Sequence, residues 1–443
     1  MKIAFLPIDN RPVCYTLPKL LAGIDKNIEF SIPEREFLGD LNKSANIEAI
    51  FEWLKNLPKQ DKIILSLDTI AYGGLIPSRR CPESFEEIKS RIETLHEILK
   101  EKNSEIYAFS SIMRISNNNF NIEEKEYWAQ YGKKIFEYSY NFHKNGTAQT
   151  DVPLEILEDY LNTRKRNYEI NKIYLEWQKE GFFKTLIFSK DDCAEYGLNV
   201  MEAQELEKSG GFTKTGADEI PLSLLSHAID GKIKICPIFL EPKYKNLISN
   251  YEDVSIEKSV NGQIELANCE ISDEKNADIL LYINNFREKQ GEIVMGVDTE
   301  TFDKEFTAPD RPYMIADVRF ANGADNNFVK ELFKNNIDDK NFYGYSAWNT
   351  SANTLGSLIC GAKIKFLSKK YNKENFDKLQ ITRFLDDWAY QANVRQMLKI
   401  TDVNELALLM KNYEEIITSV LKTNIDVKYS YPWNRLFEVE IWT

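Results

Sequence analysis

The sequence predicts an α/β protein, a TIM-like (β/α)8 barrel with insertions, followed by a mainly helical C-terminal extension. Three observations lead there. Eight short β-prone runs alternate with segments of helical spacing over about 330 residues, the pattern of a parallel sheet with helical crossovers. Eight such units match the strand number of a closed barrel. Five of the runs end in clusters of acidic, amide and glycine residues, and parallel sheets carry their chemistry at these carboxyl ends. The competing architecture is an open doubly wound sheet, in one piece or as two stacked halves. No G-x-G-x-x-G or P-loop follows the first run, so a nucleotide-binding version lacks support.

The first strand is expected over 2–8, ending in Asp9-Asn10-Arg11-Pro12, with a helix around Leu17–Ile24. A short strand at Glu29–Pro33 and a helix over 46–57, with Ile47, Ile50, Phe51 and Leu54 on one face, come next. Strand 62–67 runs into Asp68 and Tyr72-Gly73-Gly74, and a long helix follows near 84–102. Strand 105–112 leads to Arg114 and Asn117-Asn118-Asn119, and 122–182 is largely helical. Strand 183–189 ends at Asp191-Asp192, with helices through Met201–Leu206 and 219–229. Strand 232–239 ends at Glu241, and 245–260 reads as a helix with Tyr251-Glu252-Asp253 inside it. Strands 278–283 and 312–318 complete the eight, ending in Asn284-Asn285 and in a run that contains Asn322 and Asp325. After residue 340 small, amide and aromatic residues mix around Trp348-Asn349, and 374–421 is helical in pattern. The expected division is a catalytic barrel over 1–340 and a helical extension over 341–443 packed on it.

Composition narrows the function. The 443 residues carry a net charge of −13, which disfavours nucleic acid as a partner. No run approaches the roughly 18 apolar residues of a membrane span, and no secretory signal opens the chain. The six cysteines form no C-x-x-C pair, which fits reduced thiols and a cytoplasmic location. The three histidines, His96, His143 and His227, are isolated, which argues against both a zinc site and a Ser-His-Asp mechanism. The chemistry is left to carboxylates, amides, tyrosines and arginines.

Asp191 and Asp192 are the catalytic candidates, because adjacent carboxyl groups push one pKa up and keep one proton at neutral pH; helix capping is the structural alternative. Asp9 and Arg11 form either an ion pair at a turn or a contact to substrate. Asp68 and Tyr72 lie beside glycines that serve either a ligand's close approach or a tight turn. Asn284, Asn285, Asn322 and Asp325 suit hydroxyl recognition, since amides both donate and accept. Trp348, next to Asn349, either stacks on a sugar or fills the core. Arg79-Arg80 reads as solvated charge, Asp218-Glu219 as a helix cap, Tyr251-Glu252-Asp253 as surface, and Trp433 as packing.

These phrases together resemble a bacterial family known only as a domain of unknown function, number four thousand one hundred and twenty-seven. The motifs are L-P-x-D-x-R-P at Leu6–Pro12, S-L-D-x-x-A-Y-G-G-L at Ser66–Leu75, Asp191-Asp192 with Tyr196-Gly197, and G-A-D-E at Gly216–Glu219. Y-E-D at Tyr251–Asp253, the run Ala316–Asp325, W-N-T-x-x-N-T-L-G at Trp348–Gly356 and P-W-x-R-x-F-E at Pro432–Glu438 extend the likeness over nearly the whole chain. That family name implies no activity. A local second likeness does: a strand ending in Asp-Asp is similar to the catalytic pair of O-GlcNAc hydrolases and related retaining N-acetylhexosaminidases. The resemblance implies that Asp191 orients the substrate's acetamide and Asp192 is the general acid/base, with Asn284-Asn285 near the sugar.

The expected function is a glycoside hydrolase acting on a small carbohydrate, with no cofactor. One alternative is a hydrolase or lyase in which Asp9, Asp68, Asp191 and Asp192 hold Mg²⁺ or Mn²⁺. The other is a non-catalytic sugar-binding protein.

Overall fold

The computed structural model describes residues 1–191, 194–335, 337, 339–424 and 426–443. They fall into two compact units. The first holds Met1–Tyr15, Glu29–Pro221 and Tyr251–Asp253; the second holds Thr16–Ile28, Leu222–Asn250 and Val254–Thr443.

In the first unit the apolar runs become β1 (Lys2–Leu6), β2 (Glu29–Ser31), β3 (Lys62–Ser66), β4 (Glu105–Ile112), β5 (Thr185–Lys190) and β6 (Thr213–Thr215). All pair in parallel, in the order β2-β1-β3-β4-β5-β6. Every residue of β3 is buried, as expected of a central strand covered on both faces. The helices are α1 (Pro12–Ala22, which continues into the second unit), α2 (Ile47–Asn56), α3 (Leu67–Tyr72), α4 (Pro77–Arg80), α5 (Phe85–Lys102), α6 (Trp128–Asn145), α7 (Leu154–Lys179) and α8 (Leu198–Lys208). One core joins Leu6, Ile63, Leu65, Ala108 and Phe188 of the strands to Ile50, Leu54, Ile88, Ile92, Leu95 and Ile170 of the helices. Helix α5 starts where Ser84 and Glu87 form a reciprocal capping box.

The second unit repeats the plan. After α9 (Ile220–Ala228) come β7 (Lys234–Phe239), α10 (Ile256–Leu266), β8 (Glu270–Ile271), β9 (Ile279–Asn284), β10 (Gly291–Glu292), β11 (Tyr313–Asp317), β12 (Phe320–Ala321), α11 (Asn326–Leu332), β13 (Phe342–Ser346) and α12 (Ser351–Leu367). The main sheet is parallel, in the order β8-β7-β9-β11-β13. Counted from its own first strand this is 2-1-3-4-5, the order in which the first sheet begins. It is a doubly wound, flavodoxin-like order, with ligand crevices at the switch point beside the first strand. Helices α13 (Lys373–Arg383) and α14 (Val403–Leu421), the π-helical turns of Phe384–Val394 and an antiparallel pair, β14 (Lys428–Ser430) with β15 (Glu440–Trp442), complete the chain. Because β13 pairs with β11, residues on both sides of 340 share one sheet.

The α/β class with parallel sheets holds, and the expected closed barrel is not shown. Its eight runs divide five to three between two sheets, and no sheet closes among the described residues. Each sheet is completed by strands the pattern did not reveal: polar β6 at one edge, two-residue β8 and glycine-interrupted β13 at the others. Short edge strands of this kind are how open sheets avoid pairing with other chains. The helix expected over 245–260 starts only at Ile256, so Tyr251-Glu252-Asp253 lies outside it. Among the described residues no helix is long and apolar enough to cross a membrane.

Candidate functional site

The candidate site is the carboxyl edge of the six-stranded sheet. Just past β1, Asp9 and Arg11 fold onto one another before Pro12 opens α1. The Arg11 backbone N–H donates to Asp9 Oδ1 at 3.0 Å, and its Nε reaches both Asp9 oxygens at 3.0 and 2.9 Å. The other face of the guanidinium reaches Asp218, beyond β6, with Nη1 to Oδ2 at 3.1 Å and Nη2 to Oδ1 at 2.6 Å. β1 and β6 are separated by β3, β4 and β5, so this bridge joins segments that follow two strands not adjacent in the sheet. All three side chains are buried. Burial raises the Asp218 carboxyl despite the pull of Arg11, and Asp9 adds to the rise. Planar two-sided pairing of this sort suits arginine and not lysine. Asp9 and Arg11 thus form the ion pair, and Asp218 is its third member. The Cys14 thiol beside them is pushed up, first by burial and then by Asp9.

Asp68 stands in the first turn of α3, at the switch point between β1 and β3, where the Thr69 hydroxyl donates to Pro7 O at 2.6 Å. It is 1% exposed. Its Oδ2 accepts from Ser111 N of β4 at 2.8 Å, while its buried Oδ1 has no partner. Burial lifts the carboxyl to about 7; Ser111 and Arg79 only partly oppose it. The glycines after Tyr72 serve the turn. Gly73 ends α3 at φ 90°, and a Cβ there would come within 2.6 Å of Ser44 Cβ; one on Gly74 would sit 3.0 Å from Ile8 O.

Beyond β5, Asp191 keeps 23% of its side chain exposed. Two arginines hold its Oδ2, Arg79 Nη2 at 3.5 Å and Arg114 Nη1 at 3.6 Å. Both arginines lean on glutamates of the loop after β4: Arg79 on Glu124 at 3.3 Å, Arg114 on Glu124 at 3.1 Å and on Glu123 at 2.8 Å. Arg79, 2% exposed, is therefore a buried member of the site and not solvated charge. Arg80 donates to the carbonyls of Leu41, Asn121, Ile122 and Glu124, fixing the same loop. Asp253 enters beside them, accepting from Lys190 Nζ at 2.7 Å and Thr215 Oγ1 at 2.5 Å. Burial works against its charge, but Lys190 and Thr215 outweigh it and hold the carboxyl low. Asp192, expected as the acid, lies outside the described residues.

The remaining candidates belong to the second unit. Asn284 Nδ2 donates to Asp317 Oδ1 at 2.8 Å, and its Oδ1 accepts from Arg319 Nε at 3.0 Å. Asn285 clamps the main chain of Glu241 through N at 3.0 Å and O at 2.9 Å. Asn322, at φ 59°, donates to Glu292 Oε1 at 2.6 Å, and its N–H to Asn349 O at 2.8 Å. Asp325 caps α11 through Asn327 N at 2.9 Å and also accepts from Phe302 N at 2.6 Å. Trp348 is buried, while Asn349 is half-buried at φ 59°. A cavity beside β13, lined by Ser346, Gln380 and Arg383, measures about 10 Å³, room for one water and not for a sugar ring.

The structure thus brings Asp9, Arg11, Asp68, Tyr72 and Asp191 into the first unit and adds Arg79, Asp218 and Asp253, which the sequence reads as solvated charge, helix cap and surface, together with Arg114 and Lys190, to which it assigns no role. One signal was available: Lys190 ends a parallel strand, and the others lie on segments that follow one. Among the described residues no group of three His, Cys, Asp or Glu side chains is arranged to hold a metal ion. Asp9 gives both oxygens to Arg11, and Asp191 faces two arginines, so neither is turned toward a common cation.

The family model for a protein of unknown function, DUF4127, matches residues 3–442. The chain belongs to the DUF4127 family. The motifs by which this DUF4127 chain resembles its family supply these networks: Asp9 and Arg11, Asp68, Asp218 and Asp253 in one unit, Asp317, Arg319 and Asp325 in the other. No curated protein matches the chain.

Proposed function

We propose that this protein is a glycoside hydrolase acting on a small carbohydrate at the carboxyl edge of the six-stranded sheet, with an N-acetylhexosaminide as the favoured substrate. The observation that carries the reading is Asp191: of the strand-end carboxylates it is open to solvent and held by two guanidinium groups. A carboxylate fixed in that way suits the orienting role in substrate-assisted cleavage, accepting from the acetamide N–H while the acetamide oxygen attacks the anomeric carbon. The neighbouring Asp192 would protonate the leaving oxygen, a role that rests on the sequence alone. Asp68, lifted to about 7 by burial, adds no charge below that pH to the carboxylates Arg79 already faces, Glu124 and Asp191.

The test is a panel of α- and β-nitrophenyl glycosides, including N-acetylhexosaminides, with wild type, Asp191→Asn and Asp192→Asn, each with and without EDTA. EDTA-resistant release that falls at least a hundredfold in both variants is expected. Release that survives both substitutions would remove the assignment. Release lost in EDTA and restored by Mg²⁺ or Mn²⁺ would replace it with the metal-dependent reading, and sugar binding without turnover with the binding-protein reading.

A further inference from the structure

Beneath the strand ends the first unit holds a group of polar oxygens with no stated role. Asp68 and Tyr72 are four residues apart on α3, so their side chains share a helix face. Tyr174 comes from α7. One turn before it, Asn171 accepts from Ser110 Oγ at 2.7 Å and donates to Ser111 O at 3.3 Å, and Ser111 N is the group that holds Asp68. These bonds bring α7 down beside Asp68. Asp68 Oδ1, the Tyr72 hydroxyl and the Tyr174 hydroxyl are all buried, and none has a hydrogen-bond partner. Ser66 Oγ, two residues before Asp68, is a fourth such atom. Asp68 acts on the hydroxyls of both tyrosines through its charge, and Tyr174 on that of Tyr72, which places the three near one another. Charged neighbours do not satisfy them. Arg166 lies over the Tyr72 ring at 5.6 Å, Arg91 gives Nη1 to Ala71 O at 2.7 Å, and Arg79 turns to the glutamates and Asp191.

Buried polar groups in folded proteins nearly always find partners, and polar atoms too far apart to bond directly are joined by water. We propose that Asp68, Tyr72 and Tyr174 enclose an internal hydration site for one or two water molecules. Water is the ligand that fits, because it accepts from Asp68 when the acid is protonated and donates to it when the acid is ionised. Asp68 can then change charge without repacking the core. This inference stands independently of the glycosidase reading.

A high-resolution crystal structure of the wild-type protein is the direct test. Water density within hydrogen-bonding distance of Asp68 Oδ1 and of at least one tyrosine hydroxyl is expected; a dry chamber overturns the proposal. Chemical denaturation of Tyr72→Phe, Tyr174→Phe and the double variant gives an independent reading. A wet site predicts that each single change lowers the folding equilibrium constant about three- to tenfold, with the double change less than additive because the water is shared. A dry site predicts the reverse sign, since an orphan hydroxyl would be removed, and that result would also overturn it.

Discussion

Asp68 in the first unit and Asp317 in the second occupy comparable places and behave oppositely. Each sits at the carboxyl end of an inner strand of a doubly wound sheet, and each is lifted to about 7, first by burial. Asp317 is fully used: Oδ1 accepts from Asn284, and Oδ2 from Asp325 N at 2.8 Å and from the Tyr345 hydroxyl at 3.1 Å. Asp68 has only Ser111 beside it, through its backbone N–H and its hydroxyl, and one oxygen without a partner. The same strand order thus carries a locked network in one unit and an unfinished one in the other. A raised pKa does not separate structure from function; the count of satisfied lone pairs does.

The comparison can be broken at several points. Arg11→Met should be the most severe change, about 3–5 kcal/mol in denaturant unfolding, because it leaves Asp9 and Asp218 buried without their cation. A smaller loss would mean that the first unit's edge is looser than its bonds indicate. Asp317→Asn should cost about 2–4 kcal/mol, since the new amide N–H groups would face donors on at least one side. Asp68→Asn should do the opposite. The folded-state pKa of Asp68 is raised, so wild-type stability falls as pH rises from about 4 to about 7 and is level above that. Relative to wild type, the variant should be near neutral at pH 4 and gain about 1–3 kcal/mol at pH 8, below the ceiling of about 4 kcal/mol set by the shift. A loss at pH 8 would place Asp68 with Asp317 as a structural carboxylate. Finally, Ser84→Ala at the start of α5 and Asp402→Ala at the start of α14 should each cost about 1 kcal/mol, showing that neither unit is the more fragile background.

Much of the local structure was legible in the sequence, and its assembly was not. The runs 62–67, 105–112 and 278–283 are strands because their apolar residues are continuous and end in turn chemistry. The helices over 46–57 and 84–102 follow their 3.6-residue spacing. Which strands share a sheet is decided by pairing between distant residues; β6 and β8 carry too little apolar character to betray it, and Gly344 interrupts β13. In the same way Asp9, Arg11 and Asp68 announce themselves beside strands. Arg79 does not, because a buried arginine and a solvated one read alike until Glu124 and Asp191 are seen around it. Asn284 and Asn285 stand out in sequence at a strand end, but their bonds to Asp317, Arg319 and Glu241 join distant residues and leave no local signal.

The Arg11 bridge also has a history in time. It joins residues 207 positions apart, and Arg11 leaves the ribosome long before Asp218. At ordinary synthesis rates of about 5–20 residues per second, Asp9 and Arg11 wait on the order of 10–40 s for their partner. Closing so long a loop contributes non-local order that slows folding. Arg11 therefore has Asp9 as a neighbour in sequence from the start and gains Asp218 late, so this bond closes only after the chain through β6 has been made.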